Sequence, residues 1–336
     1  VTGATTQRSG AATDHVAAPP AARVRHLAAT LGAVLLKRAV MLLVLLALIF
    51  VAVGLLPGDA ASATSERGES APGLAARRHL LGLDRPVWER FGDWITGLPT
   101  GDLGTSARGE KVTDLLSAPL PNTLLLGGIA LVLTVPAALA LGLWASTRPG
   151  GRTDRAIDLG STAAFALPEF VVAVALTLAL SLWTGWLPAA TVTGADGGPA
   201  DAAMLVMPVL ALAVPQTGWN TRIVRAALDD QLRAPHVAAA RLDGLTTRRV
   251  LLRHALPGAL PTIATGIATS TGMLLGGAVV VETLFNYPGI GTVLAGAVSD
   301  RDTPVVAGVA ACAALVITLV LLMADLVRAR TLGSRP

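Results

Sequence analysis

Six runs in this chain are apolar over about the length needed to cross a bilayer: Ala39–Leu56, Asn122–Ala145, Leu159–Trp183, Ala202–Thr221, Thr262–Val281 and Val305–Val327. Hydrocarbon offers no water to backbone N–H and C=O groups, so segments of this length must satisfy their own hydrogen bonds as helices. The first run has eighteen residues without a charge. With 53% hydrophobic residues, 14% charged residues and a mean hydropathy of +0.63, the composition excludes an ordinary soluble domain. The expected fold class is an all-α membrane protein with six transmembrane helices.

The sequence pI of about 10.1 raises the possibility of a nucleic-acid partner, but the distribution of the basic residues argues against one. Five Lys and Arg precede the first run, Arg148, Arg152 and Arg155 follow the second, seven follow the fourth, and Arg328, Arg330 and Arg335 follow the sixth. The opposite short loops hold only Arg301, so the positive-inside rule places those four groups and both termini in the cytoplasm. The segment after the first run carries seven basic residues, but long loops cross the membrane largely regardless of charge.

The expected organisation is a disordered cytoplasmic tail (1–36), a first helix (37–56), an extracytoplasmic loop region (57–120), a five-helix core (121–327) and a cytoplasmic C-terminal tail (328–336). The motif Ala61-Ser62-Ala63 raises a competing reading of the first run as a cleaved signal, but the polar lead of more than thirty residues favours an uncleaved anchor. In the outer loop Leu80, Leu81, Val87, Trp88, Phe91 and Trp94 are expected to form an apolar cluster over the mouth of the bundle. Among the few ionisable groups in the runs, Glu169 beside Pro168 is a candidate pathway-lining residue, and Glu282 is a candidate outer-mouth contact with Trp88, Phe91 and Trp94.

Between the fourth and fifth runs, within the cytoplasmic loop 222–260, lies a polar island, V-A-A-A-R-L-D-G-L-T-T-R-R-V-L-L-R-H-A-L-P from Val237 to Pro257. Pro235 suits a first helical position, and Ala238, Ala239 and Ala240 give a smooth helical face. Gly244 is expected to end that helix and Thr246 to cap a second one carrying Arg248, Arg249 and Arg253. Pro257 and Pro261 are expected to break the pattern before the next run. Leu245, apolar at a polar tip, is the expected anchor for a partner groove. An ordinary basic loop is the bland alternative.

The order Ala-Ala, three residues, Gly, nine residues, x-x-Leu-Pro resembles the "EAA" loop of ABC importer permeases, met by Ala239, Ala240, Gly244, Leu256 and Pro257. Ala240 to Leu256 is similar to the loop of the first permease subunit in the dipeptide, oligopeptide and nickel importers. The motif's Glu is Ala238 here, and the Asp-Tyr usual before it is Pro235-His236. Leu81–Trp94, Gly101–Ser106, Val279–Leu294 and Asp300–Val306 resemble the same subfamily in the expected order, so the likeness runs from about Val40 to Val327. The resemblance implies a type I ABC importer permease fold with one long extracytoplasmic loop after the first helix. It also implies a second homologous permease, one or two ABC ATPase subunits, an extracytoplasmic solute-binding protein and surrounding membrane lipid as partners. The coupling loop to the ATPases then comprises Val237, Ala238, Ala239, Ala240, Arg241, Gly244, Leu245, Arg248, Arg249, Leu256 and Pro257.

The sequence contains no P-loop, since Lys37 and Lys111 are its only lysines and neither fits the motif. ATP and magnesium are therefore expected on partner subunits, with no cofactor or metal in this chain. The single Cys312 and five scattered histidines form no cysteine-based zinc motif and no H-E-x-x-H, and no serine sits in G-x-S-x-G, so no catalytic set is visible. The expected function is import of di- or oligopeptides. Nickel or another small solute is the runner-up, with an ATP-independent channel or secondary transporter behind it.

Overall fold

The computed structural model describes residues 20–65 and 70–333. Helices account for nearly all of its regular structure; among the described residues the only β pairings are two isolated bridges, Thr105 with Lys111 and Thr193 with Pro199. In chain order the helices are α1 (Pro20–Gly54), α2 (Ala60–Ala63), α3 (Ala71–Leu80), α4 (Val87–Gly97), α5 (Val112–Ser117), α6 (Pro119–Ala145), α7 (Arg152–Ala166) and α8 (Glu169–Leu176). They continue with α9 (Ala203–Leu232), α10 (Pro235–Leu242), α11 (Thr247–Val250), α12 (Leu256–Leu284), α13 (Ile290–Ser299) and α14 (Thr303–Gly333).

The chain divides into two compact units, residues 1–45 and 46–336. In the first, α1 starts at Pro20 and replaces part of the expected tail, because Ala21 to Leu36 is rich in alanine, leucine and arginine and proline is tolerated in a first turn. The rest of that tail lies outside the described residues. The second unit packs α9 against α6, α7, α8 and α12, and α12 against α14.

Small residues let these helices approach closely, as membrane packing requires. A Cβ on Gly218 of α9 would lie 2.5 Å from the Ser161 carbonyl of α7, and one on Gly142 of α6 would lie 2.5 Å from Val224 of α9.

Among the described residues four helical stretches are long and apolar enough to cross a membrane: Leu36–Gly54, Val112–Ala145, Thr247–Leu284 and Thr303–Arg328. A fifth forms if α7 and the stretch Glu169–Trp183 count as one span, but they meet at 95°. The expected third span, Leu159–Trp183, is therefore corrected from one run to two helices that meet at a sharp bend. Leu167 precedes a proline, and at φ −84°, ψ 119° it adopts the extended backbone that proline forces on its neighbour. The expected fourth span falls in α9, whose polar Gln216, Trp219, Asn220 and Thr221 lower its hydropathy while its core-facing side chains are buried.

The outer loop is more selective than the expected cluster. Phe91 and Trp94 pack on Phe50 of α1, with ring centroids 5.2 and 5.3 Å apart, and the Trp94 indole N–H donates to the Leu103 carbonyl at 2.8 Å. Trp88 and Leu80 are exposed instead, at 72% and 85%. The amphipathic turn of α4 can direct only one face inward, and Phe91 and Trp94 share it.

Candidate functional site

The loop between α9 and α12 is built on an apolar seat. Val224, Ala227, Leu228 and Leu232 of α9 pack with Val237 and Ala240 of α10, Val250 of α11, and Leu251, Ala255, Ala259 and Ile263 leading into α12. Burial at 237 and 240 is the i, i+3 spacing of one helix face, so Ala238, Ala239 and Arg241 are left exposed. Pro235 occupies the first turn of α10, where its missing N–H costs nothing.

The turn ends α10 with a Schellman motif. The Leu245 N–H donates to the Ala240 carbonyl at 3.4 Å and the Gly244 N–H to the Arg241 carbonyl at 3.1 Å. Gly244 has φ +75°, the left-handed conformation this motif needs, and a Cβ there would meet nothing within 4 Å. Glycine is required by backbone angle alone. The motif also turns the residue after the glycine back onto the helix, so Leu245 is half-buried against the apolar seat. The exposed apolar residue at the tip is Leu242, 89% accessible, and this corrects the expectation that Leu245 points outward. The glycine was the available signal: once it marks the C′ position, the next residue is the one that folds in.

Thr246 stands at the N-cap of α11 but makes no side-chain capping bond. Pro257 and Pro261 do not break the chain as expected. A wide turn at Leu251–Ala255 runs directly into α12, with Pro257 in its first turn and Pro261 inside it. The stretch from Thr247 to Leu284 is thus one continuous helical body, joined to α10 by the turn at 243–246, and α10 follows α9 after only Arg233 and Ala234. Leu256 is half-buried and Pro257 exposed. Arg248, Arg249, Leu252 and Arg253, with Thr246, line a shallow cleft of about 500 Å³.

Behind the loop, Arg225 of α9 ties into α7: its Nε donates to Asp154 at 2.7 Å and its Nη1 to Asp158 at 3.0 Å. The ion pairs link the broken span to the loop's supporting helix.

The remaining candidates scatter. Glu169 sits in the first turn of α8, where unpaired helical N–H groups favour an acidic side chain, and lies against Gly277 of α12. Glu282 is fully buried, which corrects the expectation of an outer-mouth contact. Its Oε1 accepts from the Thr123 hydroxyl at 2.6 Å and its Oε2 from the Gly291 N–H at 2.7 Å, joining α6, α12 and α13. Helix α13 folds back over the end of α12 and covers it. Phe91 and Trp94 serve the internal packing described above, and among the four outer-mouth candidates Trp88 is the one that stands clear of it.

Residues 138–332, more than half of the chain and including the whole α9–α12 loop, match the family of binding-protein-dependent transport system inner membrane components. The chain belongs to that family. This inner membrane component is 31% identical over 302 residues to the probable peptide ABC transporter permease protein y4tP of Sinorhizobium fredii, covering 88% of this chain and 96% of the relative. It is 31% identical to the glutathione transport system permease protein GsiC of Pectobacterium atrosepticum, over 86% and 92% of the two chains. It is 30% identical to the oligopeptide transport system permease protein AppB of Bacillus subtilis, over 74% and 80%. A crystal structure titled as an amino acid ABC transporter with histidines aligns with 65% of this chain and 94% of its own at TM-score 0.49 and 17% identity. The inner membrane component is thus an ABC importer permease, a multi-pass membrane protein of all-helical fold.

Proposed function

We propose that this permease forms half of the translocation pathway of an ATP-driven peptide importer and receives force through the loop at 235–257. The observation that carries the reading is the exposed face of that loop: Ala238, Ala239, Arg241, Leu242, Arg248 and Arg249 stand out from an apolar seat shared with two long helices. A partner gripping that face moves α9 and α12 together, because α10 and α11 pack on one apolar seat with the end of α9 and the start of α12, and α11 runs into α12 without a break. Peptide as the substrate class rests on the relatives, named for peptide, oligopeptide and glutathione transport.

In this reading the chain crosses the inner membrane six times with both termini cytoplasmic and pairs with a second homologous permease. One or two ATPase subunits bind the ATP and magnesium, and an extracytoplasmic binding protein delivers the peptide. The bundle alternates between inward and outward access, and each partner biases that balance by binding one state better. The chain itself performs no chemistry.

The test is Leu242→Asp in the assembled transporter in vesicles. Peptide uptake falls at least about tenfold if a partner groove buries this side chain, as for an interface anchor worth more than 1.4 kcal/mol, while the protein still reaches the membrane. Unchanged uptake sinks the coupling role. Cysteine labelling gives the topology: a reporter at Gly73 reacts from outside and one at Arg248 only after permeabilisation. Labelling of both from outside rejects the six-span arrangement.

A further inference from the structure

A cavity of about 210 Å³ lies where the outer loop meets the turn between α13 and α14. Its apolar wall includes Phe50, Leu81, Trp94 and Pro304, and its polar wall holds three arginines, Arg85, Arg90 and Arg301. Arg85 is already neutralised, by Asp93 at 2.6 Å and Glu89 at 3.4 Å. Two carboxylates also line the space, but Asp93 is taken by Arg85, and Asp302 accepts the backbone N–H groups of Ala107 at 2.7 Å and Val305 at 3.4 Å.

The other two arginines form no ion pair among the described residues, although the Asp302 carboxylate lines the same space. Among the described residues the half-buried Arg90 side chain makes no hydrogen bond or ion pair, and burial, then the charge of Arg85, pushes its pKa down from the ordinary value. Arg301 donates from Nε to the Pro57 carbonyl at 2.7 Å and from Nη1 to the Ser299 carbonyl at 3.4 Å, and no carboxylate lies within ion-pair distance among the described residues. Arg301 also adopts φ +55°, a left-handed backbone that is costly for a residue with a side chain. A charged group drawn partly out of water without a partner is unfavourable, and a guanidinium's planar fork matches the two oxygens of a carboxylate.

We propose that this cavity binds a carboxylate-bearing amino-acid residue, with the carboxylate held by Arg90 and Arg301 and the residue's apolar part resting on Phe50 and Trp94. The volume suits one residue and excludes a folded domain. The same chemistry is offered by the C-terminal carboxylate of a free peptide and by an acidic side chain on a protein docked at this face.

Calorimetric titration of the full-length chain in nanodiscs separates these sources. N-acetyl-leucine supplies the chain-end carboxylate, N-acetyl-glutamic acid α-amide the side-chain carboxylate, and N-acetyl-leucinamide the neutral control. Binding of the first alone assigns the site to a free chain end, binding of the second alone to an acidic side chain, and binding of both supports the shared class. The control is expected not to bind. Arg90→Gln and Arg301→Gln are each expected to weaken the carboxylate probe by at least about tenfold, as for loss of a charge-assisted pair. Relief of an unpaired charge also predicts that Arg90→Gln unfolds no earlier than the native chain, so this variant stays informative if Arg301→Gln fails to fold. Binding of the neutral amide as tight as that of its acid, equal binding of inorganic phosphate, or affinity unchanged in Arg90→Gln overturns the assignment. The assay uses no transport readout, so failure of the importer reading leaves its outcome unaffected.

Discussion

Replacing Glu282 with alanine removes a buried acceptor that joins three helices. Its Oε1 takes the Thr123 hydroxyl at 2.6 Å and its Oε2 the Gly291 N–H at 2.7 Å, and the residue has no exposed surface. Glu282→Ala leaves two donors unsatisfied at about 1–3 kcal/mol each, so the expected loss is about 2–6 kcal/mol. At roughly 2–4 °C per kcal/mol for a domain of this scale, the unfolding midpoint should fall by about 4–24 °C. Glu282→Gln should cost much less. Its carbonyl oxygen can take the Gly291 N–H, and its amide can donate to Thr123 Oγ1, which already accepts the Ile290 N–H at 2.9 Å and has a second lone pair. One displaced hydroxyl proton is worth about 1 kcal/mol. Gly289 supplies an internal control, because a Cβ there would collide with the Glu282 carboxyl. Gly289→Ala and Glu282→Ala should therefore combine non-additively, with coupling above about 0.5 kcal/mol. The assay is thermal unfolding of the full-length chain in nanodiscs at a fixed scan rate, followed by tryptophan fluorescence. An alanine variant that melts with the native chain, or a glutamine variant as damaged as the alanine one, refutes the hub.

Gly244→Ala should cost about 1–2 kcal/mol through its φ of +75° alone, and Gly244→Asn less, because a short polar side chain tolerates that conformation; faster hydrogen exchange confined to the loop is the expected signal. Slower or unchanged exchange there contradicts the Schellman turn. Glu169→Gln should reduce transport of cationic peptides more than neutral ones if its carboxylate faces the pathway, and equal losses reject that role. Burial raises the Asp302 pKa above its ordinary 3.8, opposed by N–H bonds from Ala107 and Val305. A raised folded-state pKa means stability that is full below pH 3.8 and declines as pH rises through the folded value, so Asp302→Asn should flatten the pH dependence of the unfolding midpoint in that window. Identical slopes in the two proteins exclude Asp302 as the source.

The apolar runs were legible because lipid imposes length and helicity on each segment separately. The loop motif was legible for a related reason: proline at a first turn and glycine at a C′ position act through local backbone geometry, so Pro235 and Gly244 sit where their chemistry places them. The bend before Pro168 is also local, since proline restricts its predecessor, but the apolar residues on both sides of it give the pattern of one unbroken run.

What the sequence by itself determined is therefore the helical membrane class, the turn at Gly244 and the family, each carried by neighbours along the chain. What only the tertiary structure decided is which side of each element faces inward. Gly244 marks Leu245 as the residue that folds back, but the seat it folds onto is assembled from Val224 and Leu228 of α9 and Ala259 and Ile263 of α12. Glu282 reads as a charge near the end of a span until Thr123, 159 residues away, and the start of α13 close over it. Arg90 and Arg301 share a cavity although 211 positions separate them in the chain. Burial and pairing depend on residues distant in sequence, and no local pattern encodes which of them will meet.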